Sequence, residues 1–150
     1  LSHTHDDVVL LVGVAGVDTN EIKPFAVTIP TSAYSAAGLT IPTTTGVWND
    51  IQSLTFTSTG APILITYAFN YQGTGTGSND QMEIRLVRGA STQLYISAVS
   101  LGENLPLSAS YLDTTTTAGS RTFKLQAKIN TGISGMQFFN RVLTALEVKR

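Results

Sequence analysis

The segment Arg121-Thr-Phe-Lys-Leu-Gln-Ala-Lys-Ile129 alternates strictly. Phe123, Leu125, Ala127 and Ile129 fall on one side, and Thr122, Lys124, Gln126 and Lys128 on the other. Side chains switch faces with a period of two only in an extended chain, so this stretch predicts a half-buried antiparallel strand. Gln81–Leu86 repeats the pattern, and Arg141–Val148 closes the chain as a second strongly apolar strand. A C-terminus tied into a sheet in this way points to a β-sandwich module that assembles, and away from a catalytic domain.

The rest of the chain agrees. Short apolar blocks predict strands near Val8–Val14, Pro24–Ile29, Ser53–Phe56, Ile63–Tyr71, Gln81–Val87, Gln93–Val99, Leu107–Tyr111, Thr122–Ile129 and Arg141–Val148. Gly- and Thr-rich punctuation separates them, as in Gln72–Asn79 and Asp113–Gly119. No long stretch carries a helical period. Strands recurring every ~8–12 residues are the mark of a sandwich or jelly roll, so the chain reads as an all-β jelly-roll β-sandwich. Its 150 residues are expected to form a linker over 1–7 and one sandwich domain over 8–150. The start at Leu1, not Met, reads as a C-terminal piece of a longer protein.

Composition removes several functions. A net charge of -1 with scattered basic residues disfavours nucleic acid and anionic membranes, which need clustered Lys and Arg. The longest apolar run, Val8–Ala15, falls far short of the ~20 residues of a membrane helix, so no membrane insertion is expected. No cysteine is present, which excludes disulfides, thiolate zinc sites and cysteine nucleophiles.

Several strands are apolar on both faces. Ile63, Ile65, Tyr67, Phe69 and Tyr71 oppose Leu64 and Ala68, and Leu143 and Ala145 oppose Val142, Leu146 and Val148. One face fills a sandwich; the other is covered by further chain or by another subunit. The subunit reading puts Ile63–Tyr71 and Arg141–Val148 around a trimer axis, with Phe69 and Leu143 among the lining residues.

Candidate sites are few. His3 and His5 lie on one side of an extended segment, and three chains would bring six imidazole nitrogens to one metal ion; a solvated linker is the alternative. Trp48-Asn49-Asp50, placed in a loop, combines a ring that stacks on sugar C–H groups with an amide and a carboxylate that bind hydroxyls. The alternative for the lone Trp48 is a core residue or a plug between sheets. Gln72–Ser78 resembles a phosphate loop but lacks its Lys-Ser/Thr pair, and reads as a hairpin tip ending at Asn79, a further candidate ligand contact. Asp6, Asp7, Asp18 and Glu21 lack calcium-loop spacing, and Asp80 and Glu83 carry no mark of an acid–base pair. With both histidines in the linker, no enzyme is expected.

Leu1–Asp7 resembles the His-x-His-bearing linkers of bacteriophage tail fibres, where such pairs line a trimer axis and hold iron. The strands Ser120–Lys128 and Arg141–Lys149 are similar in pattern to trimeric jelly-roll heads of the C1q and tumour-necrosis-factor type. The resemblance implies a homotrimeric virion head, outside the cell, binding a host glycan or protein receptor. His3 and His5 would be its metal ligands, and loops remote from Leu1, including Trp48, Asn49, Asp50 and Asn79, its receptor contacts. No other cofactor is implied. The alternatives are a structural virion protein, such as a capsid decoration or tail-assembly protein, and an isolated carbohydrate-binding module using Trp48 with Tyr34 or Tyr71.

Overall fold

The computed structural model describes residues 30–42, 44–75, 81–90, 92–100, 105–115, 117–130 and 133–148. The expected linker, the strands at Val8–Val14 and Pro24–Ile29, and His3, His5 and Asn79 lie outside them. The described residues carry nine strands and no helix: β1 (Thr31–Ser35), β2 (Leu39–Thr40), β3 (Asn49–Ser58), β4 (Ile63–Gly75), β5 (Gln81–Arg88), β6 (Thr92–Ser100), β7 (Leu105–Asp113), β8 (Gly119–Ile129) and β9 (Ile133–Glu147).

All pairings are antiparallel, and they nest. β1 and β2 pair with the last strand β9, β3 with β8, β4 with β7, and β5 with β6. Alternate nested pairs fall into alternate sheets, joined by β4·β9 in one and β5·β8 in the other. The first sheet has the order β1-β9-β4-β7, with β2 extending the β1 edge along β9, and the second β3-β8-β5-β6. A long antiparallel ribbon wound into two facing sheets is a jelly roll. The fold class read from the sequence is therefore the one observed.

The strand periodicity sets the core. Ile63, Ile65, Tyr67, Phe69 and Tyr71 of β4 meet Met82, Ile84 and Leu86 of β5 and Phe123, Leu125, Ala127 and Ile129 of β8. Phe69 lies edge-on to Phe138 at 5.6 Å between ring centroids and stacks near Tyr67 at 6.2 Å. In β9 the inward set changes parity, from Met136 and Phe138 to Leu143 and Ala145. A bulge explains this. Register jumps from Ala68↔Val142 to Asn70↔Phe139, so two β9 residues oppose Phe69, and one of them, Asn140, takes a left-handed φ of 48°. Asn accepts that conformation more readily than other non-glycine residues, and the extra residue returns Leu143 to the core.

Three features differ from the sequence reading. Phe69 and Leu143 point between the sheets and are buried there, so neither lines an intersubunit axis. Asn49 and Asp50 belong to β3, in register with Ala127 and Gln126, where a loop was expected. β1 and β2 were not anticipated. Thr31-Ser-Ala-Tyr-Ser35 turns Thr31, Ala33 and Ser35 inward, of which only Ala33 is apolar, because an edge strand contributes little to the core.

Candidate functional site

The two outer faces of the sandwich differ in chemistry. On the β3-β8-β5-β6 sheet, the polar half of the β8 alternation projects outward beside Asp50 of β3 and Glu83 and Arg85 of β5. Lys124 Nζ donates to Asp50 Oδ2 at 2.6 Å, and Lys128 pairs with Glu83 at 2.9 Å. Gln126 links the strands: its amide nitrogen donates to Asp50, and its carbonyl accepts from Arg85 Nε at 2.7 Å. Burial alone would raise the Asp50 carboxyl. The hydrogen bonds from Gln126 and Lys124, with the charges of Lys124 and Arg85, outweigh it and hold Asp50 below the ordinary aspartate value. Burial lowers the Arg85 guanidinium, and Asp50 opposes that shift.

Trp48 lies over this array. Arg85 Cζ sits 4.1 Å from the centre of the indole and Lys128 Nζ 5.0 Å. The ring is half-buried on the outer surface and is neither a core residue nor a plug between sheets. Asn49 turns back to donate to the Val47 carbonyl at 3.0 Å. Each member of the Trp48-Asn49-Asp50 triplet is thus engaged by its own chain. Arg85, Gln126 and Lys128 were not singled out in the sequence, although the alternation of β5 and β8 already put them on one face. Tyr71 is in the core and Tyr34 lies on the opposite sheet, so neither extends Trp48 into an aromatic platform.

The outer face of the β1-β9-β4-β7 sheet carries no charged side chain among the described residues. Cross-strand register arranges it in rows. Leu112, Leu64 and Leu146 form one. Ser110, Thr66, Thr144 and Ser32 form the next, with Ser32 and Thr144 hydroxyls 2.8 Å apart. Ser108, Ala68, Val142 and Tyr34 follow, then Pro106, Asn70 and Phe139. Tyr34 is 63% exposed and Leu112 47%. At the far end of this sheet a shallow groove of about 250 Å³ is lined by Thr40, Gln72, Gly135, Met136 and Gln137. Gln137 donates to Thr40 across it at 3.1 Å.

The two ends of the sandwich also differ. At the end where β1 begins, buried polar clasps tie sheet to sheet. Asp113 of β7 accepts from Arg88 of β5 at 2.6 Å through both carboxylate oxygens and stands 3.5 Å from Arg121 of β8. Glu147 of β9 accepts from Ser58 and from the Thr59 backbone, both at 2.6 Å. The opposite end holds the β2–β3 connection and Trp48, so that residue lies away from the point at which the chain enters β1. Among the described residues, no three histidine, aspartate or glutamate side chains converge as metal ligands.

No protein-family model matches the chain, and no curated protein matches its sequence. Its fold does have counterparts among solved structures. It is similar to the VP2 subviral particle of infectious bursal disease virus, with a TM-score of 0.52 at 9% identity, covering 80% of this chain and 32% of that one. It is similar also to T=1 particles derived from the same virus, with a TM-score of 0.50 at 11% identity over 80% and 32% of the two chains. This chain therefore spans about a third of the proteins it matches. The likeness is one of fold: the solved jelly rolls this chain resembles come from these viral particles, not from tail fibres or from the C1q and tumour-necrosis-factor type that the sequence pattern had suggested.

Proposed function

We propose that this chain is a structural module of a virion, a jelly roll that associates with copies of itself in a particle or a particle-bound layer. The observation that carries this reading is the nested two-sheet topology, which the chain shares with proteins solved as viral particles. The low charge of the chain and the uncharged outer face of the β1-β9-β4-β7 sheet support it, because surfaces that assemble shed charge at their centre. A homotrimer is one closed assembly this reading admits, and its location is the virion. The reading assigns the chain no catalytic chemistry and no cofactor.

A receptor-binding head is the second reading. It is favoured by the position of Trp48, and of the groove lined by Thr40, Gln72 and Gln137, at the end remote from Pro30, where a tip would meet a host glycan. In that reading Asp50 would recognise hydroxyls only after giving up Lys124 and Gln126, and His3, His5 and Asn79 keep the roles the resemblance gave them. Light scattering on the full chain tests the first reading: a mass that is a multiple of 15.9 kDa supports it, and a monomer at every concentration contradicts it. Glycan-array binding that is lost on Trp48→Ala would favour the second.

A further inference from the structure

Of the two outer faces, one satisfies its charges internally and the other, among the described residues, has none to satisfy. The first would have to break the Asp50–Lys124 and Glu83–Lys128 pairs or bury them, and burying ion pairs costs more than it returns unless the geometry is ideal. The second presents a row of leucines, a row of hydroxyls, and a mixed row of Ser108, Ala68, Val142 and Tyr34. A hydroxyl both donates and accepts, so the row of Ser110, Thr66, Thr144 and Ser32 is complementary to another copy of itself. The row of Leu64, Leu146 and Leu112 needs an apolar partner, and an identical face supplies one. No charge on either copy would be repelled or stranded.

From these features we infer that the outer face of the β1-β9-β4-β7 sheet is a homotypic interface, at which it packs against the same sheet of a second copy. The inference rests on the structural-virion reading above and names the surface that reading leaves open. Small side chains allow close approach, as in face-to-face sheets about 10 Å apart. Four strands at ~4.8 Å spacing and eight residues at ~3.4 Å rise give a face of roughly 500 Å². Two such faces bury about 1,000 Å², the lower bound of a specific contact. A single pair of faces is therefore a modest contact, suited to an assembly in which several are made together.

The test uses the full chain and two charge insertions at exposed positions. Ala68→Lys places an ammonium at the centre of the proposed face, and Thr57→Lys places one on the outer face of the other sheet. Mass is read by light scattering and folding by circular dichroism. The expected result is an assembled wild type and an assembled Thr57→Lys protein, with Ala68→Lys reduced to the 15.9 kDa subunit and still folded. An Ala68→Lys protein of unchanged mass overturns the interface and leaves the virion reading standing. A wild type that is monomeric throughout overturns both. Should Ala68→Lys fail to fold, Ser110→Lys at the outer β7 strand decides by the same criterion.

Discussion

The Asp113 clasp makes the sharpest prediction for stability. Asp113 is 2% exposed, and its carboxylate accepts two hydrogen bonds of 2.6 Å from Arg88 and a third of 3.0 Å from the Thr115 backbone. Arg121 stands beside it with its side chain 7% exposed, held by the Thr117 carbonyl. Asp113→Ala leaves Arg121 with a buried positive charge and no counter-ion, a defect that costs about 3–5 kcal/mol. Arg88 is 23% exposed and turns to water more easily, so Arg88→Ala should cost less. Urea denaturation followed by Trp48 fluorescence, at fixed protein concentration, measures both. The pH dependence follows the same logic. Burial would raise Asp113, but Arg88 and Thr115 hold it below the usual 3.8. A folded value below the unfolded one stabilises fully above the unfolded value and is lost as pH falls through the folded one. Wild type should therefore lose its advantage over Asp113→Asn only below about pH 4. An Asp113→Ala protein within about 1 kcal/mol of wild type, or an advantage that persists undiminished to the lowest pH, would refute the reasoning.

Further predictions concern the core, the bulge, the surface ring and alkaline pH. Phe69→Ala removes a ring packed against Phe138 and Tyr67 and should cost about 3–5 kcal/mol in a denaturation midpoint. Asn140→Val forces a β-branched residue into the left-handed region and should lose about 1–2 kcal/mol, whereas Asn140→Gly should stay within experimental error; equal losses would remove the bulge argument. Trp48→Ala forfeits the stacking of Arg85 and Lys128, about 0.5–1 kcal/mol each, and should leave a folded protein; complete unfolding would place the ring in the core. Burial, with Tyr95 nearby, pushes the Tyr67 hydroxyl up to about 12. The unfolded chain releases that proton from 10.0 upward, so stability should fall between pH 10.0 and about 12, read by tyrosinate absorbance together with circular dichroism.

Much of the architecture was legible because burial writes a period-two code. Phe123 to Ile129 and Ile63 to Tyr71 announce their inward faces without any knowledge of partners. What the code does not carry is the partner itself. Nothing in the sequence says that β9 pairs with β1 and β4 at once, which is why Leu143 and Phe69 looked available to line an axis when they fill the sandwich. β1 escaped notice because an edge strand with Thr31 and Ser35 flanking Ala33 on its inner face has the composition of a loop. Trp48-Asn49-Asp50 was legible as an unusual triplet, but its chemistry depended on Arg85, Lys124 and Lys128, which come from strands far away in the chain. Strand alternation places those residues on one face, and only the β3-β8-β5 order puts Arg85 and Lys128 under the indole and Lys124 against Asp50.

The proposed packing of copies through the sheet face of Leu64, Thr66, Ala68, Val142 and Thr144 is tested most directly by an electron cryo-microscopy reconstruction of the assembled full-length protein. Contacts through Leu64, Thr66, Ala68, Val142 and Thr144 are expected, with Trp48, Asp50 and Lys124 left facing solvent. Copies that meet through the charged β3-β8-β5 surface, with the β4 and β9 outer faces exposed, would contradict it.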